Sequence, residues 1–472
     1  MNRRVCSAIV VPLMLAYLAG CASVDTSKVL MQTQQDLAPF TATPLQISFT
    51  PEQAAQRSAA AQHLLEQPLQ QADAVGLAWL NSPALQALLA RAMADAAQAA
   101  QQGRIANPRL GLEWSSLLDE TEIARRISFG LLDLLTLPQR QGLAAGAVQQ
   151  VQLQLSMDVV EQISAVRQAW VKAVAAQEAT AYAQQVQEAA GIGAQLARRM
   201  QNVGNISKLQ AARQQLWYTQ ATVQLAQARD EAQSAREGLV RALGLDSVQA
   251  QALRLAARLP DLPAAPKAYD QTMEQAWQTR LDLRMARAAW DGAQAARSLG
   301  QWTSRGDLEI GLHHVLEQDP HGSNVRRGLE LDIALPLFDD GSLRRAGLDA
   351  RSLALALQVQ ATERQAASQL RESYAHYRST YELARQYRDE LLPLRKTMSE
   401  ETLLRYNGML VSVFDLLVDA QEQISLVRAA LAAQQQFWLA DAALQAALLG
   451  KPLAGAAATA QSAGPGASDA GH

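Results

Sequence analysis

Few side chains in this 472-residue sequence suit metal or nucleophilic chemistry. Its two cysteines, Cys6 and Cys21, both fall within the first 21 residues. The body of the chain therefore has no disulfide framework, thiolate metal site or cysteine nucleophile. Of six histidines only His313, His314 and His321 cluster, and an alternating strand turns His313 and His314 to opposite sides, where they cannot chelate one metal together. Met200, Met398 and Met409 carry soft thioethers that suit Cu(I), although packing between helices is their plainer use. The sequence contains no glycine-rich phosphate loop, Gly-x-Ser-x-Gly elbow or His-Glu-x-x-His pair. The expectation is a protein with no catalytic residues, no metal site and no cofactor. One charged constellation remains: Asp415, Asp419 and Glu422, at i, i+4 and i+7, share one face of a helix.

The elements that position these residues follow from composition. Aromatic residues make up 5% of the chain, and its 49% hydrophobic content comes largely from Ala, Leu and Val among many Gln, the mixture of long helices. Lys plus Arg at 42 against Asp plus Glu at 45, with no basic run, argues against nucleic-acid binding. At the N-terminus, Asn2-Arg3-Arg4 precedes an uncharged apolar stretch from Val5 to Leu18, the layout of a secretory signal. The stretch closes on Leu18-Ala19-Gly20-Cys21, which resembles the lipobox of bacterial lipoproteins. That resemblance implies a signal peptide over 1–20, an acylated Cys21 as the mature N-terminus and, with Ala22 and Ser23 following, the outer membrane. Residues 21–70, with Pro39, Pro44, Pro51 and Pro68, read as an extended strap, and residues 453–472, rich in Ala, Gly, Ser and Pro, as a disordered tail.

Between these ends lies an internal repeat, 71–262 and 263–452. An offset of 198 aligns Ala78-Trp79 with Ala276-Trp277 and Leu137-Pro138 with Leu335-Pro336; beyond the prolines the offset is 205, aligning Tyr182 with Tyr387 and Ser207 with Ser412. The seven extra residues fall in the turn-rich Leu337–Leu343. Each half reads as helix, two strands, long helix, tight turn, helix. Val148, Val151, Leu155, Val159, Ile163, Val166, Trp170 and Val174 mark a helix from Arg140 to about Asn202, on the order of 95 Å long. The same 205 offset sets Gln210, Gln214 and Trp217 opposite Asp415, Asp419 and Glu422, so the acidic face belongs to one repeat.

The predicted strands, 109–118, 126–136, 307–316 and 326–335, each have about the length of a tilted transmembrane strand. Leu329-Glu330-Leu331-Asp332-Ile333 alternates as a wall between lipid and water requires; Asp133, in phase with Phe129 and Leu131, breaks the rule. Four strands cannot close a barrel, since small outer-membrane barrels begin at eight, so the chain must oligomerise, and three copies would supply twelve.

Lipobox, repeat, strand pairs and turns together resemble the outer membrane factor family, the TolC-like efflux channels, over roughly residues 72–452. Leu335-Pro336-Leu337-Phe338-Asp339-Asp340-Gly341 resembles the family's second strand exit, and Val203-Gly204-Asn205-Ile206-Ser207 its Val-Gly-x-x-Ser turn. The second turn, Gly408-Met409-Leu410-Val411-Ser412, places Met409 where Gly is usual. The resemblance implies a mainly α fold with β: a periplasmic α-barrel of long antiparallel coiled-coil helices, and four strands per chain in a trimeric twelve-stranded outer-membrane β-barrel. It implies a homotrimeric, lipid-anchored outer-membrane channel, a passive conduit for metal ions or small toxic compounds. Its partners would be outer-membrane lipid, a periplasmic membrane-fusion adaptor and an inner-membrane pump, of the RND type ahead of the ABC type. Val203, Gly204, Ile206, Ser207, Gly408, Met409, Leu410 and Ser412 would form the adaptor-docking tips, and Asp415, Asp419 and Glu422 a periplasmic gate. The competing reading is a periplasmic coiled-coil adaptor or scaffold lipoprotein without a pore.

Overall fold

The computed structural model describes residues 27–451 except 39, 41–44, 118–119, 305, 307 and 320–321. The signal peptide, Cys21, His321 and the tail lie outside the described residues. Helices α1 (Ser27–Leu37), α2 (Pro51–Leu65), α3 (Gln71–Asn81) and α4 (Pro83–Gln101) come first. The strap expected over 21–70 is corrected here: α1 and α2 occupy much of it. The prolines misled because Pro51 starts a helix instead of breaking one. It sits in the first turn of α2 behind Thr50, which closes a capping box with Gln53.

Strands β1 (Arg109–Leu117) and β2 (Glu120–Gly130) lead through α5 (Leu131–Leu135) into α6 (Leu137–Asn202) and α7 (Lys208–Leu243). After α8 (Ser247–Ala252) the pattern recurs. Helices α9 (Tyr269–Thr279) and α10 (Leu281–Thr303) precede β3 (Leu308–Asp319) and β4 (Gly322–Ile333). Then come α11 (Ser342–Gln386), a π turn (Tyr387–Leu391), α12 (Leu392–Asn407) and α13 (Val413–Leu448). α6 and α11 start 205 residues apart, and α7 and α13 each have 36 residues. Pro393 explains the π turn: it lacks an N–H and its ring crowds the preceding turn, which a wider turn relieves.

The chain forms two compact units, one containing Ala90–Leu155 and Leu283–Glu363, the other Asp36–Leu89, Ser156–Asp282 and the chain from Arg364 on. The first unit holds a four-stranded antiparallel sheet in the order β1-β2-β3-β4. The strands of each hairpin lie closer together in sequence than expected, because strand pairing runs on through polar residues such as Gln318↔Ser323 and Ser116↔Thr121. The strand expected over 126–136 is corrected at both ends. β2 begins at Glu120 and stops at Gly130, and Asp133 lies in α5, ion-paired with Arg140 at 2.7 Å, which removes its conflict with the strand pattern.

In the second unit, Tyr377, Tyr381, Phe437, Leu262 and Leu444 form a buried cluster. The hydroxyls of Tyr374 and Tyr381 donate to the carbonyls of Lys267 and of Pro263 and Ala264, and Trp438 Nε1 donates to Pro260 O at 3.0 Å. The proline-rich connector between the repeats is thus held by aromatic side chains that bury their rings and spend their polar ends on its backbone.

Candidate functional site

Three features are candidates for function: two helical turns, a charged contact beside one of them, and the sheet. At the first turn, Gly204 N–H donates to Gln201 O (3.0 Å) and Asn205 N–H to Met200 O (2.9 Å). This is a Schellman closure, and Gly204 has the positive φ, 79°, that it needs. At the second turn Met409 N–H donates to Tyr406 O (2.9 Å) and Leu410 N–H to Arg405 O (2.9 Å), the same motif 205 residues on. Its left-handed position is held by Met409, φ 61°, while Gly408 has an ordinary φ of −78°. Met409 is the one non-glycine residue with positive φ among the described residues. Both following helices begin alike, Ser207 capping Gln210 N–H and Ser412 capping Asp415 N–H in capping boxes. The turns present apolar side chains to solvent: Val203, Leu410 and, at 94% exposed, Met409. Ile206 is half-buried and Ser207 exposed.

The structure distributes the three carboxylates over different tasks. Asp415 closes the cap: its Oδ2 accepts from Ser412 Oγ and from Ser412 N–H, both at 2.8 Å. Those bonds, the side-chain one first, hold its carboxyl below the ordinary aspartate range. Asp419 is nearly buried against Arg395 of α12, Oδ1 to Nη2 at 2.9 Å, and Arg395 also donates to the Asp419 carbonyl. Glu422 reaches the same guanidinium at 3.1 Å and remains 63% exposed. Arg395, whose side chain is 9% exposed, thus neutralises much of the acidic face from within the chain.

Arg395 was missed in the sequence, although the 205 offset marks it. Its counterpart is Ala190, fully buried in the first repeat beside Val186 and Ala221, and the counterpart of Asp419 is Gln214, also buried. The second repeat has an ion pair where the first has an alanine and an amide. Around the first-repeat contact Tyr182, Trp217, Tyr218 and Ile424 of α13 pack, so α13 lies against the α6–α7 hairpin. Arg428 of α13 adds a hydrogen bond to Gln224 Oε1 at 2.8 Å.

The sheet separates its side chains by face, as strand alternation requires. One face carries ion pairs: Arg126 to Glu330 (3.0 Å) and Asp332 (2.7 Å), Arg109 to Glu309 (3.3 Å), and Arg326 to Glu317 and Glu122. The other carries Leu110, Leu112 and Trp114 of β1, Ile127 of β2, Leu312 of β3, and Val325, Leu329, Leu331 and Ile333 of β4, all exposed, Trp114 by 79%. The register sets His313 and His314 on opposite faces. Among the described residues no three His, Cys, Asp or Glu side chains could hold a metal together, and no helix is long and apolar enough to cross a membrane.

No protein-family model and no curated protein sequence matches the chain. Solved structures do match. The outer membrane protein VceC from Vibrio cholerae is similar at a TM-score of 0.66 and 16% identity, over 83% of this chain and 96% of that one. The outer-membrane channel OprN is similar at 0.65 and 16%, over 87% and 98%. The MtrE outer membrane channel of Neisseria gonorrhoeae, in its open state, is similar at 0.63 and 15%, over 80% and 88%. Over most of its length, then, the chain has the fold of these outer-membrane proteins.

Proposed function

We propose that this protein is the outer-membrane channel of a tripartite efflux system, a homotrimer that passively conducts solutes delivered by a periplasmic adaptor and an inner-membrane pump. The observation that carries the reading is the two-faced sheet. Nine large apolar side chains stand exposed on one face while the other face is tied by ion pairs. Exposed apolar area of this extent suits lipid, and β1 and β4 are open edges that only further strands can satisfy. Three copies would supply twelve strands in a closed ring. The repeats, 71–262 and 263–452, would contribute equally to an α-barrel in the periplasm. Cys21 would carry the acyl anchor after loss of residues 1–20.

The turns at Gly204 and Met409 would dock the adaptor through Val203, Ile206, Leu410 and Met409, with Ser207 and Ser412 fixing the helix starts and Gly408 leading into the second turn. The Arg395–Asp419–Glu422 contact, with Asp415 at the cap, would hold the second hairpin in the closed entrance. Metal ions or small toxic compounds are the proposed cargo, and an RND-type pump the proposed partner. The test is the state of the protein extracted from outer membranes. Heat-modifiable migration and a native mass of three chains are expected; a monomer released by salt washing would exclude the channel and favour the periplasmic scaffold.

A further inference from the structure

Each hairpin contains an Arg-Arg pair, Arg125-Arg126 and Arg326-Arg327. Alternation sends the two members of a pair to opposite faces. Arg126 and Arg326 go to the charged face, where each meets two carboxylates. Arg125 and Arg327 go to the apolar face, and among the described residues neither has an ion-pair partner; both are exposed. The register places them in one row across the sheet, Leu112↔Arg125↔His314↔Arg327. His314 stands between the arginines, and its buried Nδ1 has no hydrogen-bond partner among the described residues. With strands ~4.8 Å apart, the two arginines are about 10 Å apart with the imidazole at the midpoint.

The place of this row along the strands identifies what it meets. In every strand it lies five residues from the hairpin end: Leu112 before Leu117, Arg125 after Glu120, His314 before Asp319, Arg327 after Gly322. One row nearer the hairpin ends come Trp114, Ile123, Leu316 and Val325, and beyond them the polar row Ser116, Thr121, Gln318 and Ser323. On the other side, apolar rows continue to Leu308 and Ile333. Rows are ~7 Å apart along strands tilted by about 40°, so the basic row sits roughly 5 Å inside the hairpin-side border of the apolar band. From there long arginine side chains reach the headgroup level. No carboxylate occupies this face of the register, so joining β1 of a second copy to β4 would bring Leu110, Leu112, Trp114 and Ser116 beside the row, and no counter-charge.

We infer that Arg125, His314 and Arg327 form a binding site for the phosphate of an anionic lipid headgroup, in the leaflet at the hairpin end of the sheet. The inference rests on the membrane reading above. Arginine presents a fork of donors that matches phosphate oxygens, and two arginines flanking an imidazole give donors on three sides of one phosphate. Trp114, one row outward, is the kind of residue that lies at that interface.

The test uses the full-length protein in uncharged detergent, with phosphatidylglycerol or phosphatidylcholine added and lipid retention counted by native mass spectrometry. Wild-type protein is expected to retain phosphatidylglycerol preferentially. The R125Q/R327Q variant should lose about 30-fold in apparent affinity, from two surface arginines, and R125K/R327K should keep most of the preference. Heat-modifiable migration of each variant checks that it has folded. Equal retention by wild type and R125Q/R327Q would overturn the site. Displacement of the lipid by inorganic phosphate that then remains bound alone would overturn the headgroup assignment. Insertion into phosphatidylcholine vesicles without any anionic preference would overturn this inference and leave the channel standing, whereas failure to insert into any vesicle would overturn the channel reading itself.

Discussion

Met409→Gly separates the stability of the second turn from its proposed use. Met409 holds a left-handed backbone at φ 61° in a closure that Gly204 makes at φ 79°. A side chain in this conformation costs about 1–2 kcal/mol. Glycine relieves that cost but loses about 0.5–1 kcal/mol more backbone entropy on folding, so the expected net gain is ~0.5–1 kcal/mol. Met409 is 94% exposed, so little packing is lost with the side chain. Local opening of the turn should then become about 2- to 5-fold rarer, read as slower hydrogen exchange at the Met409 and Leu410 amides, whose acceptors are Tyr406 O and Arg405 O. Adaptor binding should move the other way. A methionine buried on docking contributes about 1.5–3 kcal/mol, so its loss should weaken affinity by about tenfold or more. Strain kept at an exposed apolar residue is what a functional turn would retain. Exchange that is unchanged or faster in Met409→Gly would refute the strain argument, and unaltered adaptor affinity would remove Met409 from the docking surface.

Asp419→Ala should destabilise the α12–α13 hairpin by about 3 kcal/mol, because it leaves Arg395 nearly buried and without its closest carboxylate. The double replacement Arg395→Met, Asp419→Leu should recover most of that loss, and chemical denaturation followed by circular dichroism measures both. Gly204→Trp should still fold and trimerise, because the side chain points into open space and the left-handed backbone costs it only about 1–2 kcal/mol, yet should abolish export in cells; full export would exclude the first turn from docking. Asp415 gives a pH dependence. Its carboxyl ionises more readily folded than unfolded, so its capping contribution is complete above the ordinary aspartate range and is lost as pH falls through that range towards the depressed folded value. Hydrogen exchange at the start of α13, corrected for intrinsic rates, should rise on acidification in wild type and stay level in Asp415→Asn.

The turns were legible in the sequence because their signals are local: Gly204, Ser207 and Ser412 each do their work within a few residues. The alternation of Leu329, Leu331 and Ile333 likewise read correctly as strand. Residues 131–135 read wrongly, since four leucines around Asp133 fit a strand or a helical turn equally well, and only the Arg140 contact decides for the helix. Arg395 is not legible from local pattern, and only the 205 offset between the repeats marks it. A buried arginine is defined by its partner across a hairpin, Asp419, and no short-range pattern connects the two. The basic row on the apolar face is similarly a property of register: Arg125, His314 and Arg327 come from three strands and become one site only when the pairing aligns them.

Conductance of the purified protein in planar lipid bilayers tests the central claim most directly. Discrete, long-lived conductance steps, from a species whose native mass is that of three chains, are the predicted result. A protein that stays soluble after detergent removal and adds no conductance at any concentration would contradict it.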